Sequence, residues 1–511
     1  LVILIFKQNL TAISDIMKYR NACSDTIGGE NQMTNYKTMQ IWIKKGHRMH
    51  DYFQKMCENA KNMHNVTNFY IRQIYTGLTQ EKELLPLQIE ALANIDNFFP
   101  RMNDNQLLAY QKNLTKEKMK PIEKRKEIKC NLFVKPSKEK PYVDYHFLDS
   151  LFKVMMQNDY RSLPTQSSQA IMKVVFQNWK SFYASLRDFK TNPSKFKARP
   201  RIPGYSRSKE KEVSFSNQDC VIKEDKFLKF PKTKDRLNIG KLGFTNGKLK
   251  QVRVNPKYGH YVVEIIFEVP SELEVKPSKN RLMSIDLGID NIATIVTNTG
   301  RRPILVKGEN IKAINQQYNK LKAHYTGVLR HGKNPKEGQF TSKRLEKIHN
   351  KRFNKIKDLF HKASHQIERI ALEEDIDTIV IGQNKDWKQK SNMGKKNNQT
   401  FVTIPHSLLI QMITYKLQRH GIQVLITEES YTSKASFLDC DNIPVYSENE
   451  SKKSFSGKRI KRGIYRSKNG VIINADVNGA ANIMRKVFDY AFKEMFSEVE
   501  SLLRPQVLVL K

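Results

Sequence analysis

Hydrophobic and polar positions divide the chain into stretches of different period. Tyr36 to Gly46 (YKTMQIWIKKG) alternates apolar and basic residues, as one half-buried strand does. From His47 the period lengthens. Leu148, Leu151, Phe152 and Met155 share one helical face. After the break at Leu163-Pro164, so do Ile171, Val175, Trp179, Phe182, Leu186 and Phe189. This predicts a helical module over residues 47–192, its aromatic stripe forming core in preference to a base-stacking surface. Period two returns between Val213 and Val269. Val252 and Val254, then Tyr261, Val263, Ile265 and Phe267, alternate with polar residues around the turn Asn255 to His260. The expectation is a small β domain, a barrel, made of 34–46 and 193–278 with the helical module inserted. Residues 1–33 give no readable period and are assigned as an N-terminal extension.

The pattern changes again near Arg281. An apolar strand, Met283-Ser284-Ile285, ends in Asp286, a Gly/Asp/Asn turn follows, and Ile292 to Thr297 returns. Two long helices come next. The second carries Leu345, Ile348, Ile356, Phe360, Ala363, Ile367 and Ile370 on one face. A buried strand spans Thr378 to Gly382, a polar loop runs from Gln383 to Thr400, a helix from Ile404 to His420, and a strand from Gln423 to Glu429. A last helix begins near Asp476, where Gly479-Ala480-Ala481 lets it lie close against a sheet. Alternating strands and helices predict an α/β domain over 279–430 and 474–490. Residues 431–473 form an insertion and 491–511 a C-terminal tail, so the whole reads as a multidomain chain mixing α+β and α/β parts.

Charge narrows the partners. The 511 residues hold 89 Lys plus Arg against 51 Asp plus Glu, a net charge of +38 that calls for a polyanion. The apolar runs fall short of the ~20 residues that span a bilayer, so no membrane partner is expected. Five scattered cysteines without a CxxC pair argue against a disulfide framework or a zinc site and fit a reducing, cytoplasmic setting. In the Pro- and Gly-broken stretch KFKARPRIPGY, Lys195, Lys197, Arg199 and Arg201 are candidates for phosphate contacts, against a plain charged linker. Lys388 in the polar loop is another candidate. So are Lys458, Arg459, Lys461 and Arg462 in the basic insertion, whose bland reading is a solvated loop. His361 and His365 stand at i and i+4, but no third zinc ligand is evident, so a solvated or packed pair is expected. Asp286 could cap a hairpin and Asp476 a helix. With a third acid on a strand they would instead complete a two-metal nuclease site, in which two Mg²⁺ lie about 3.5–4 Å apart.

SIDLGIDN, TIVIGQNKDWKQ, EESYTSKASF and INADVNGAANI resemble the RuvC nuclease segments of TnpB proteins. These are transposon-encoded, RNA-guided DNA endonucleases related to type V CRISPR effectors and commonly labelled transposases. YRSLPTQSSQAIMKVV and KFKARPRIPGY resemble their recognition and wedge regions, and the resemblance runs from about residue 35 to 490. It implies an RNase H-like RuvC domain, a recognition module inserted in a wedge barrel, two Mg²⁺ ions, a guide RNA and a double-stranded DNA target. In most of the family the middle acid ends the strand after the long helices, where this chain has Gly382. Glu428-Glu429 ends the next strand, and a long Glu side chain can reach across ~4.8 Å to a neighbour that carries only Gly. This resembles the rearranged site of some TnpB proteins and their eukaryotic relatives. The catalytic and metal-binding set is then Asp286, Glu429 and Asp476. Glu429 is preferred for its offset of three before Thr432-Ser433, and Glu428 is the alternative. Set against the family it resembles, the chain is expected to carry a degenerate zinc finger: Ser436 and Asp439 stand near where its first Cys pair would fall, residues 465–470 hold no Cys, and Cys440 alone cannot bind zinc. The insertion 431–473 is therefore expected to contact the target strand without metal. Two other readings stay open. One is a catalytically inactive RNA-guided repressor, motivated by Gly382. The other is a DNA-only transposase accessory protein, for which Tyr431 is the nearest nucleophile, though it is expected to pack.

Overall fold

Alternating residues at the start build β1 (Asn35–Lys44), and the lengthened period after it builds helices. The computed structural model describes residues 35–242, 247–269, 277–334, 337–383, 403–445, 454–492 and 499–510. The expected extension 1–33 lies outside them. Two units divide the chain, Leu1–Ser271 and Glu272–Lys511.

In the first unit, α1 (His50–Thr79) buries Phe53, Met56, Ala60, Ile71 and Ile74. It is followed by α2 (Pro86–Lys118), α3 (Tyr145–Val154), α4 (Asn158–Ser162) and α5 (Thr165–Thr191). Asp144 caps α3 by accepting from the Phe147 N–H at 2.7 Å. On α5, Ile171, Val175, Trp179 and Phe182 are buried, and the Trp179 indole N–H donates to Asn68 Oδ1 at 2.8 Å. The aromatic stripe is therefore core. The strands are β2 (Val213–Ser216), β3 (Val221–Lys223), β4 (Phe227–Lys229), β5 (Arg236–Asn238), β6 (Lys248–Lys257) and β7 (His260–Val269). β1 pairs antiparallel with β7, Trp42 opposite Val262, although more than two hundred residues separate them. The order β1-β7-β6-β2 makes an open four-stranded sheet, and β3-β4-β5 a separate three-stranded one. Among the described residues this pairing does not close into the expected barrel.

The second unit is built on one mixed sheet of order β12-β11-β8-β9-β10-β16. Its strands are β8 (Leu282–Asp286), β9 (Asn291–Thr297), β10 (Ile304–Lys307), β11 (Thr378–Gly382), β12 (Gln423–Thr427) and β16 (Gln506–Leu508). Helices α6 (Glu309–Arg330), α7 (Lys343–Glu373) and α8 (His406–Gln418) cover one face, and α9 (Ala475–Val487) the other. Alternation along β8 divides these layers. Met283 and Ile285 join the core with Ile356, Phe360, Ile367 and Leu409, whereas Leu282 joins the one with Val477, Ala480 and Met484. A three-stranded sheet, β13 (Lys458–Lys461), β14 (Ile464–Arg466) and β15 (Ile472–Asn474), leads into α9. The short helix α10 (Val499–Leu503) precedes β16. The segment expected to be a tail thus supplies a strand: β16 pairs parallel with β10, Leu305 opposite Val507, and Leu510 is buried. Among the described residues no helix is long and apolar enough to cross a membrane.

Candidate active site

The face that β8 turns toward α9 carries Leu282, Ser284 and Asp286. Ser284 Oγ donates to the Ala480 carbonyl at 2.7 Å, fixing helix to strand. Near the end of β8 the two elements approach so closely that a Cβ on Gly479 would lie 2.9 Å from Asp286 Oδ2. Glycine there makes room for the carboxylate. Parallel pairing of Ile381 with Ile285 brings Gly382 beside Asp286 on the same face. A Cβ on Gly382 would meet Ile483 Cδ1 at 2.5 Å and Glu429 Oε2 at 3.0 Å. The Glu429 carboxylate therefore reaches the space next to Asp286 that a side chain at 382 would fill.

Asp476 arrives from α9. The helix cap is Asn474, whose Oδ1 accepts from the Asp476 and Val477 N–H groups at 2.9 and 3.2 Å. That corrects the reading of Asp476 as a plain cap and leaves its carboxylate to other work. Asn291 Nδ2 donates to Asp476 Oδ2 at 2.8 Å, and Arg459 Nη2 lies 3.5 Å from Oδ1.

Electrostatics link the three acids. Burial and the Asp476 carboxylate push Asp286 up to about 7, against the pull of Arg459 and the Leu287 N–H. Burial, then Asp286 and Glu428, push Glu429 up to about 8, with Lys486 opposing. Glu428 differs. Burial opposes its ionisation, but the Lys486 ammonium and the Ser430 bonds hold it below the usual carboxylate range. Lys486, nearly buried, pairs with Glu428 and donates to the Ser430 and Pro444 carbonyls at 3.0 and 3.3 Å. β12 ends at Thr427, so both glutamates lie past the strand and alternation does not separate them. The partner Lys486 does.

Backbone contacts hold Glu429 in place. Its carbonyl accepts from Thr432 Oγ1 at 2.8 Å, and Asn482 Nδ2 on α9 donates to the Thr432 and Ala435 carbonyls at 2.9 and 2.8 Å. Asn478 donates to Ala435 O at 2.8 Å and accepts from Phe437 N at 2.9 Å. Sequence reading missed Asn291, Asn478, Asn482 and Lys486. The repeat of Asn at 478 and 482, one helical turn apart beside Gly-Ala-Ala, was the available signal.

The basic candidates divide. Arg459 and Arg462 do not stand free: Arg459 reaches Asp476, and Arg462 pairs with Asp290, which Lys312 also binds. Lys458 and Lys461 are exposed on β13. Lys195 is tied to Asp188 at 2.7 Å, whereas Lys197, Arg199 and Arg201 are exposed along a segment anchored to α1 through Pro203 O, which accepts from Asn68 at 3.2 Å and Arg72 at 3.1 Å. Lys388 lies outside the described residues. His365 faces Glu368 at 3.2 Å, and Tyr431 packs near Phe455 at 6.0 Å. Among the described residues no three His, Cys, Asp or Glu side chains stand close enough to hold a metal as they are.

Comparison with known proteins adds the following. Residues 260–388 match the family described as probable transposase, and residues 406–483 match the Cas12f1-like TNB domain. A TnpB-like protein, ORF457 of Acidianus two-tailed virus, is 28% identical over 229 residues, 43% of this chain and 45% of that protein's length. The match thus spans less than half of that relative. The chain is similar at 12% identity to a Cas12f1–sgRNA–target DNA complex, with a TM-score of 0.42 over 88% of this chain and 98% of that one. It is also similar at 10% identity to the mini-RNA-guided endonuclease Cas_phi3, with a TM-score of 0.37 over 92% and 94%. The two family matches together cover the greater part of the mixed sheet of the second unit and the elements around it, so it is in this unit that the chain is similar to the probable transposase family and to the Cas12f1-like TNB domain.

Proposed function

We propose that this chain is an RNA-guided DNA endonuclease of a transposable element that hydrolyses phosphodiester bonds with two Mg²⁺. Asp286, Glu429 and Asp476 would be the metal ligands. The observation that carries this is the approach of Glu429 to the space beside Asp286 that Gly382 leaves open. The rearranged glutamate rests on that approach and on the engagement of Glu428 by Lys486.

The donor set fits divalent cations: hard carboxylate oxygens that raise one another's proton affinity sit where positive charge would relieve them. When bound, such ions activate water and stabilise the leaving oxygen of a phosphodiester. The chain's own residues do the positioning. Asn291 orients Asp476, Thr432 and Asn482 fix the Glu429 backbone, and Lys486 withdraws Glu428 from the site. The Arg459 guanidinium, already beside the carboxylates, is suited to grip a substrate phosphate.

Guide RNA and double-stranded DNA are the proposed partners, with pairing supplying sequence specificity and the net charge of +38 supplying backbone affinity. Residues 47–192 would serve as recognition module, and the open sheet with its three-stranded companion as wedge. Lys197, Arg199 and Arg201 would follow phosphates from the anchored segment, and the insertion 431–473 would contact the target strand without needing zinc. The experiment is to express the chain with its native flanking DNA, purify it and sequence the bound nucleic acid. A discrete RNA from the adjacent locus that supports cleavage of matching DNA is expected. Heterogeneous, salt-removable nucleic acid alone would contradict the guided reading and favour the DNA-only one.

A further inference from the structure

α7 packs on the sheet only from Ile356 onward, where Ile356, Phe360, Ala363 and Ile367 are buried. α6 buries only Ile311 and Asn315, both in its first two turns. Beyond these, Tyr318–Arg330 and Lys343–Lys355 are two helical arms about 20 Å long at 1.5 Å per residue that bury no apolar side chain, tied back to the body of the unit by Arg352, which donates to Asn315 Oδ1 and the Thr403 carbonyl at 2.6 Å each. Its direction follows from the sheet. β10 runs parallel to β8, since each is antiparallel to β9. α6 therefore departs from the end of the sheet where Asp286 lies. The contacts agree: Gly308 N donates to Asp290 O at 2.8 Å, and Lys312 pairs with Asp290.

Two cation–π contacts join the helices where apolar packing is thin, and a third ties the end of α6 to the connection. Arg352 lies over Tyr318 at 4.9 Å, Arg344 over Tyr325 at 5.2 Å, and Arg330 over Phe340 at 4.4 Å. The exposed side of α7 carries Lys343, Lys347, Lys351 and Lys355, four lysines at successive i, i+4 positions and all exposed. None of the four has an ion-pair partner among the described residues. Like charges at this spacing oppose helix formation, so the row works against the isolated hairpin. The lysines are about 6 Å apart along the helix axis, close to the ~6.8 Å that separates every second phosphate of one strand along a B-form axis, so the row offers one ammonium for about two phosphates. Where the row meets the sheet, a groove of about 670 Å³ between α6 and α7 continues it, lined by Lys320, Lys355 and Lys362, the last paired with Asp358 at 2.8 Å.

We propose that this hairpin is a DNA-binding arm, its lysine row following the backbone of duplex DNA that flanks the scissile phosphodiester. Charge complementarity sets the chemistry of the partner. Departure from the Asp286 end of the sheet selects the substrate DNA over a distant RNA element. The assignment of DNA as substrate rests on the nuclease reading above, and the rest of the inference on the hairpin alone.

The test uses the full chain with all four lysines replaced by glutamine (K343Q/K347Q/K351Q/K355Q), and a second variant with all four replaced by arginine. Binding to a short B-form DNA duplex and to the matching RNA duplex is titrated across salt, in chelator. Removing one lysine–phosphate pairing lowers the slope of log K against log salt by about 0.9, so the glutamine variant should drop by about 3 to 4 on DNA, and by less on RNA. The arginine variant should keep the wild-type slope, and far-UV circular dichroism should match for all three. A drop below about 2 on DNA, or a larger drop on RNA, overturns the inference. Chelated protein binds without cutting, so a failure of the nuclease reading would appear separately, as intact salt slopes with no cleavage when Mg²⁺ is added.

Discussion

Gly479 and Gly382 mark where this site is tightest. A Cβ on Gly479 would stand 2.9 Å from Asp286 Oδ2, so alanine there must push the carboxylate aside. The same change favours the helix by about 1 kcal/mol. Gly479→Ala should therefore lower cleavage by one to two orders of magnitude while the melting temperature holds or rises. Parallel rate and thermal-unfolding measurements check it, and wild-type activity would contradict the close approach. Proton affinity gives a second handle. Asp286 and Glu429 are raised to about 7 and about 8, so the folded chain binds more protons than the unfolded one between their ordinary and raised values. Without metal, stability then falls as pH rises through that window, by up to about 1.4 kcal/mol per unit for each group. A divalent cation competes with those protons. The rise in Tm on adding Mg²⁺ should be larger at pH 8 than at pH 6, and an equal or reversed difference would contradict the shared site.

Among elements, the insertion before α9 is held by two aspartates that accept mainly backbone N–H groups. Asp441 accepts from the Ser436 and Ser456 N–H groups at 2.8 and 3.1 Å and from the Ser456 hydroxyl at 2.7 Å, and Asp439 accepts from the Lys468 N–H at 2.8 Å. These bonds tie together chain segments far apart in sequence. Asp441→Ala should leave two N–H groups unpaired and cost on the order of 1–3 kcal/mol for each one that stays buried. It should loosen the turn that positions Glu429, whereas a zinc-selective chelator should not move Tm. Thermal unfolding of both samples checks this. The elements were largely legible: short apolar runs bounded by turn residues picked out β8, β9 and β11, and the 3.6-residue period picked out α5 and α7. Leu345 and Ile348 fitted the apolar stripe of α7 but are only half-buried, because a period cannot say where a helix leaves its sheet. Glu428 and Glu429 could not be separated, since the strand stops at Thr427 and Lys486 lies 58 residues away.

Across the whole chain, what the sequence hid is pairing between distant segments. Strand character at 36–46 was visible, but its fixed register against β7 was not. The closed barrel was expected from alternation alone, which reports burial of one face and says nothing of closure. β16 is only three residues long, too short for its period to be read, and it gains its place from β10. Arg459 and Arg462 read as surface charge because their acidic partners, Asp476 and Asp290, lie on other elements. With a net charge of +38, binding to nucleic acid should weaken steeply between low and physiological salt, and a flat response would contradict a polyanion partner.

In the proposed nuclease site Asp286, Glu429 and Asp476 act together, and Glu429, not Glu428, is the second acid. Single-turnover cleavage of guide-matched DNA by Glu429→Gln and Glu428→Gln, side by side with wild type, tests it most directly. Glu429→Gln should lose about 10² or more, the scale of removing one group that stabilises transition-state charge. For Glu428→Gln the loss should stay within about tenfold, as for one ion pair of ~1.4 kcal/mol. Cleavage that survives Glu429→Gln, or fails only with Glu428→Gln, would contradict this assignment.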